Sequence, residues 1–245
     1  MSDAARPRFL DPSSPPHIVT LTALAGVSAM TMNIYLPSLP GMTASFAADY
    51  RVMQLSVALY LGVSAALQLV IGPISDRYGR RPVLLWSLGI FLLATLGCIF
   101  ASTAEAFLVF RMVQAVVAAG LVLSRAVVRD MVPEDQAASM IAYVTMGMSL
   151  IPMLAPALGG FLDAAFDWRA NFWLLFGLGA ALTWLLWRDL GETAAPRDGG
   201  FAAQIREYPE LLASPRFWGY AAAAMFASGA FFAYLGGAPF VGSVI

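Results

Sequence analysis

Apolar runs of about twenty residues alternate with short polar connections along nearly the whole chain. Seven such runs stand out, near 18–40, 52–73, 82–102, 106–128, 137–163, 171–187 and 217–240. A helix rises ~1.5 Å per residue, so about 20 apolar residues cover the ~30 Å hydrocarbon layer of a bilayer. Backbone groups in lipid must pair within the segment. Barrel strands would be shorter and would alternate polar with apolar, so these runs predict membrane-spanning helices. The first run follows Arg6 and Arg8, as a secretory signal would, and Ser45-Phe46-Ala47 is a weak cleavage-like site. It is long for a signal core and contains Pro37 and Pro40, so it is expected to remain as a first span.

Composition sharpens this picture. Of 245 residues, 60% are hydrophobic and only 12% charged. A soluble domain carries about a quarter charged residues, so lipid is the solvent for much of the chain. A net charge of -1 gives no reason to expect nucleic acid. A lone Cys98 excludes an intrachain disulfide. One cysteine and one histidine cannot build a protein zinc site, and no cofactor is implied.

All 14 basic residues are arginine. With the N-terminus in the cytoplasm, eleven fall inside: Arg6, Arg8, Arg77, Arg80, Arg81, Arg125, Arg129, Arg188, Arg197, Arg206 and Arg216. Only Arg51 and Arg169 fall outside, and Arg111 lies within a span. This asymmetry favours that orientation. The chain divides into a bundle at 1–187, a cytoplasmic linker at 188–216 containing Pro196, Arg197, Asp198, Gly199 and Gly200, and a seventh span within 217–245.

The first six spans carry a repeat. Spans one and four begin 88 residues apart, and Gly72 and Asp76 precede Gly159 and Asp163 by 87. Each pair is followed by arginine before the next span. Three spans per unit is an odd number, so the second unit lies inverted relative to the first, as in many secondary transporters.

The connection between spans two and three reads Gly72-Pro73-Ile74-Ser75-Asp76-Arg77-Tyr78-Gly79-Arg80-Arg81-Pro82. It reverses within a few residues. Gly79 can supply a left-handed backbone, and Pro82 fits the first turn of the next helix. Asp76 is expected within reach of Arg77, Arg80 and Arg81. Such a carboxylate at a membrane edge either acts as a latch in a two-state equilibrium or belongs to a loop that simply anchors topology.

This loop resembles motif A of the major facilitator superfamily, and further likeness runs along the chain. Asn33-Ile34-Tyr35-Leu36-Pro37-Ser38-Leu39-Pro40 resembles the end of span one in its drug/proton antiporters. Arg111-Met112-Val113-Gln114-Ala115 resembles their motif B, and Ala155-Pro156-Ala157-Leu158-Gly159-Gly160 resembles their motif C. Trp168-Arg169-Ala170-Asn171-Phe172-Trp173 resembles the start of span six. Ser214-Pro215-Arg216-Phe217-Trp218 and Gly237-Ala238-Pro239-Phe240 resemble the two ends of span seven in the bicyclomycin/chloramphenicol-resistance (Bcr/CflA-type) branch.

The resemblance implies an all-α membrane protein with the superfamily fold: an N-terminal six-helix bundle of two inverted three-helix repeats, plus a seventh span. It implies a multi-pass carrier of the cell inner membrane that exports small amphipathic drugs by alternating access, with the proton as coupling ion and the motif B arginine linked to coupling. The superfamily has twelve spans in two halves. The chain therefore reads as the N-terminal portion of a longer transporter whose C-terminal half completes the cavity.

Several intramembrane residues carry two readings. Arg111 lies roughly 8 Å below the outer end of span four; it faces a cavity with Gln114, or it snorkels to the interface. Asn33 and Tyr35 are further candidates for the substrate or proton pathway. Ser56, Tyr60, Ser64, Gln68 and Gly72 form either a path or a helix–helix seam. Pro152 and Pro156 bend span five, and Gly159 and Gly160 permit close packing, which seals one side of a cavity or makes an ordinary kink. Phe226, Phe231, Phe232, Tyr234 and Phe240 make span seven aromatic, for substrate contact or for packing.

One departure from the branch stands out. Many members carry an acid where this chain has Asn33, and asparagine does not titrate near neutral pH. No acid lies near the middle of any span, so proton coupling either is lost or calls on groups outside this chain. A metabolite carrier of the same superfamily is the alternative within the class. A seven-helix membrane receptor is the alternative of another class; retinal chemistry would need a lysine, and the chain has none, which leaves other ligands open. An intramembrane enzyme would need a midplane Ser–His or paired-Asp constellation, which the sequence lacks. The chain is not expected to be an enzyme.

Overall fold

The structure, a computed structural model, describes residues 9–11, 14, 16–194, 209, 210 and 212–244, with the side chains of 134, 135, 231, 232 and 234–244 left aside. Every regular element among these residues is helical. The helices are α1 (Ile18–Asn33), α2 (Leu39–Phe46), α3 (Tyr50–Tyr78), α4 (Arg80–Phe100), α5 (Ala104–Gln114), α6 (Ala119–Met131), α7 (Glu134–Ser149), α8 (Ile151–Ala165), α9 (Arg169–Asp189) and α10 (Pro215–Val244).

These assemble six spans among the described residues, and each is 21 to 30 residues long. At ~1.5 Å per residue even the shortest covers the hydrocarbon layer. The seventh predicted span falls on α10, 30 residues long. The linker residues 196–200 and the side chains of Phe231, Phe232, Tyr234 and Phe240 lie outside what is described.

Spans one and four, the corresponding first members of the two triplets, are both interrupted. Span one breaks at a 3-10 turn, Leu36–Ser38, and continues as α2 to Phe46, so it is longer than the sequence pattern suggests. Pro37 and Pro40 explain the break, because each lacks an N–H to donate. Span four breaks at Ala115–Ala118. There Ser28 Oγ of α1 lies 2.8 Å from both Val117 O and Leu24 O, so its proton can serve a carbonyl at the interruption. In span five, Gln136–Ala165, the hydrogen-bond pattern is interrupted at Leu150, whose backbone stays helical (φ -74, ψ -24), two residues before Pro152 in the first turn of α8; Pro156 lies inside that helix.

α1 sits at the centre, against α6, α7, α8 and α9, while α4 packs between α5 and α9. Opposite the motif A loop, Phe46, Phe107, Trp168 and Phe172 form an aromatic cluster with centroid separations of 5.2 to 5.9 Å. Trp168 Nε1 donates to Ser45 Oγ at 3.2 Å, and Asn171 Nδ2 donates to Ser38 Oγ at 3.0 Å. The Trp168–Trp173 segment, singled out by its sequence, thus pins spans one, four and six together at one end. At the other end Asp189, fully buried, accepts from Leu10 N at 2.7 Å, His17 N at 3.0 Å and Thr20 Oγ1 at 2.5 Å. That bond set ties the segment before α1 to the end of α9.

Candidate functional site

Two arginine-centred clusters occupy the bundle. The first is built by the reversal between α3 and α4. Gly79 has φ 94 and ψ 151, a backbone region essentially confined to glycine. A Cβ there would also stand 2.4 Å from Glu192 Oε2. This turn starts α4 at Arg80 and lets Arg80 fold back on Asp76, with a nitrogen–oxygen distance of 2.6 Å.

Arg80 also donates through Nε to Asp130 Oδ2 of α6 at 3.1 Å and through Nη1 to Ser75 Oγ. The guanidinium is buried, at 7% exposure, and joins the ends of α3, α4 and α6. Glu192, just past α9, accepts from Arg80 N at 2.8 Å and Arg81 N at 3.3 Å. A carboxylate at a helix N-terminus satisfies orphan N–H groups and complements the helix dipole.

Of the three arginines expected around Asp76, Arg80 is seen in an ion pair with it. Arg77 stands over the Tyr78 ring, 5.4 Å from its centroid, and Arg81 donates to Trp187 O at 3.0 Å. Arg80 forms the ion pair with Asp76, and its second carboxylate is Asp130. The sequence reading missed Asp130, Glu192 and Asp189, because isolated acids at span ends look like ordinary interfacial polarity. Gly72 sits in open space, with nothing within 4 Å of a Cβ built on it. The repeated pair differs as well: after Asp163, Arg169 engages Asp167 at 3.8 Å, donates to Ile99 O at 3.2 Å and stacks on Trp168.

The second cluster surrounds Arg111 of α5, which is 1% exposed and therefore does not snorkel. Its Cζ lies 4.3 Å from the Tyr35 ring centroid and 4.1 Å from that of Tyr60. Nη1 donates to Gln114 Oε1, and Nη2 donates to Thr31 O at 2.8 Å. Gln114 Nε2 continues the network to Thr95 Oγ1 at 2.7 Å. Tyr35 Oη pairs with Ser56 Oγ at 3.0 Å. Thr95, one of two hydroxyls with Ser87 in the apolar run of span three, was a legible signal that the sequence reading passed over.

The expected pathway residues are thus divided. Tyr35, Arg111 and Gln114 come together, but Asn33 does not join them. Its Nδ2 donates to Ala29 O at 2.7 Å. Asn33 is the last residue of α1, and Tyr35 lies beyond it, at the turn into Leu36–Ser38. In span two, Ser56, Tyr60 and Ser64 are buried as a seam, whereas Gln68 is exposed.

The motif C glycines differ in what they do. A Cβ on Gly159 would lie 1.7 Å from Ile34 O, so α8 crosses the end of α1 backbone against side-chain-free backbone. Gly160 has only ordinary contact with Pro37, at 3.6 Å.

Known proteins agree with this architecture. The Major Facilitator Superfamily profile matches residues 21–245. The chain is 32% identical over 201 residues to Multidrug resistance protein D of Escherichia coli (strain K12), covering 82% of this chain and 51% of that protein. It is 33% identical over 229 residues to a Chloramphenicol resistance protein of Pseudomonas aeruginosa, covering 91% of this chain and 53% of that protein. The chain spans about half the length of these curated relatives. Among solved structures, a bacterial homolog of the human lysosomal transporter Spinster, inward-facing and unoccupied, superposes with a TM-score of 0.71 at 19% identity, over 91% of this chain and 54% of that one. A match over nearly the whole chain, on a bundle whose motif A turn is built around Gly79 and Arg80, shows that this chain belongs to the major facilitator superfamily.

Proposed function

We propose that this chain forms the N-terminal bundle of a proton-coupled exporter of small amphipathic drugs in a bacterial inner membrane. The N-terminus and the Asp76 turn lie in the cytoplasm, and a second bundle completes the substrate cavity. The observation that carries this reading is the Arg80 clasp. One buried guanidinium holds carboxylates from α3 and α6 at the expected cytoplasmic mouth. Opening that mouth separates charges that are costly to leave unpaired, so the clasp biases which side is open.

The orientation is supported by the eleven arginines that fall inside against two outside. The substrate class is supported by the names of the drug- and chloramphenicol-resistance relatives. Gly159 of motif C seals the other end by bringing α8 onto the Ile34 carbonyl. Because no acid lies near the middle of a span, the titrating group belongs to the second bundle.

The test is chloramphenicol export from cells expressing the native gene. Export should collapse when an uncoupler dissipates the proton gradient. Asp76→Asn should abolish it at unchanged protein level. Export that survives the uncoupler would refute proton coupling, and full export by Asp76→Asn would refute the gate.

A further inference from the structure

The geometry points to a binding site for an organic carboxylate at Arg111, which makes anionic amphiphiles a substrate class of the exporter proposed above and rests on that reading. Arginine keeps its charge under all physiological conditions. Here that charge lies inside a span, 1% exposed. Its surroundings are neutral: two tyrosine rings, one glutamine amide oxygen and one backbone carbonyl. All 15 acids of the chain fall at span ends or outside the spans. The ion pairs among the described residues engage Arg80 and Arg169, and none reaches Arg111.

The guanidinium is also incompletely filled: Nη1 and Nη2 each donate one hydrogen bond, which leaves further N–H groups to serve. Its Nε–H is buried without a hydrogen-bond partner. The Nε–H and one Nη–H of a planar guanidinium point the same way, and together they form the fork that a carboxylate accepts with both oxygens. Tyr35 and Tyr60 stand within cation–π distance of the guanidinium, so the ligand's charged group should be flat enough to reach its edge. A carboxylate on an apolar or aromatic body meets both demands. Since Arg111 is almost fully covered, the ligand enters when one of the rings swings aside, a movement that alternating access supplies.

The test uses the product of the native gene in lipid nanodiscs, with radiolabelled benzoate in equilibrium dialysis. Benzamide and benzamidine serve as neutral and cationic competitors of the same shape. Benzoate should bind at least about tenfold tighter than benzamide, as one charge-assisted pair predicts, and benzamidine weaker still. Arg111→Gln should lose this preference while keeping the parent's elution profile. Equal affinity for benzoate and benzamide in the parent protein would overturn the site, even if the variant failed to fold. So would a benzoate preference that persists in Arg111→Gln. Chloramphenicol export from the same cells separates the two claims. Uncoupler-sensitive export without a benzoate preference sinks the carboxylate site alone. A benzoate preference without export sinks the transporter reading of the bundle.

Discussion

Arg80 and Arg111 are both buried arginines of one small bundle, and the bundle treats them in opposite ways. Arg80 stands between two carboxylates and a serine hydroxyl at one edge. Arg111 lies deeper, against two rings and neutral oxygens. A charge paired with acids of its own chain can lock helices together, and breaking the lock has a cost. A charge left without an acid is tolerated only where rings and dipoles replace part of its hydration, and it remains available to another anion. The first arrangement suits a gate and the second a binding position.

The contrast can be broken most sharply at Arg80. Arg80→Ala strands two acids and should cost about 3 kcal/mol, the lower end for a buried pair, because Asp76 and Asp130 keep 16% and 22% of their side-chain surface. Thermal unfolding in detergent and chloramphenicol export both read this, and export should fall to background.

A smaller loss, about 2 kcal/mol, is expected for Gly159→Ala, whose new methyl collides with the Ile34 carbonyl. Gly72→Ala, with open space around its Cβ, should leave the unfolding temperature unchanged or slightly higher. Equal losses at the two glycines would show that the crossing of α8 over α1 is not as described.

Arg111→Gln should stay within about 1 kcal/mol of the parent, because no acid among the described residues pairs with the charge it removes. A loss as large as that of Arg80→Ala would erase the distinction between the clusters. The smallest effect belongs to Glu192→Gln, about 0.5–1 kcal/mol, as the carboxylate at the start of α4 loses its charge beside the helix dipole. Unfolding midpoints of the variant and its parent check it.

What was legible in the sequence follows the physics of each feature. Spans were legible because lipid demands long uninterrupted apolar helices. Gly79 was legible because a sharp reversal needs a residue without Cβ, and its φ of 94 agrees. Arg111 was legible as an expensive charge inside an apolar run. Gln114 and Tyr35 were named with it, but the Tyr60 ring comes from another span, and only packing brings it within reach. Asp130 and Glu192 lie 50 and 112 residues from Arg80, so no local spacing joins them to the clasp. The interruption of span five was legible at Pro152 and Pro156, since proline excludes a helix hydrogen bond, but its place at Leu150 was not. Asn33 was grouped with Tyr35 by proximity in sequence, although α1 ends at Asn33 and Tyr35 lies in the turn that follows.

The account depends on the Arg80 clasp guarding the cytoplasmic mouth. Tyr78, beside it, is 63% exposed, while the native Cys98 is fully buried. A Tyr78→Cys variant can therefore be probed with a membrane-impermeant thiol reagent. The account predicts labelling only after the inner membrane is permeabilised; labelling of Tyr78→Cys in intact cells would place the clasp on the periplasmic side and contradict it.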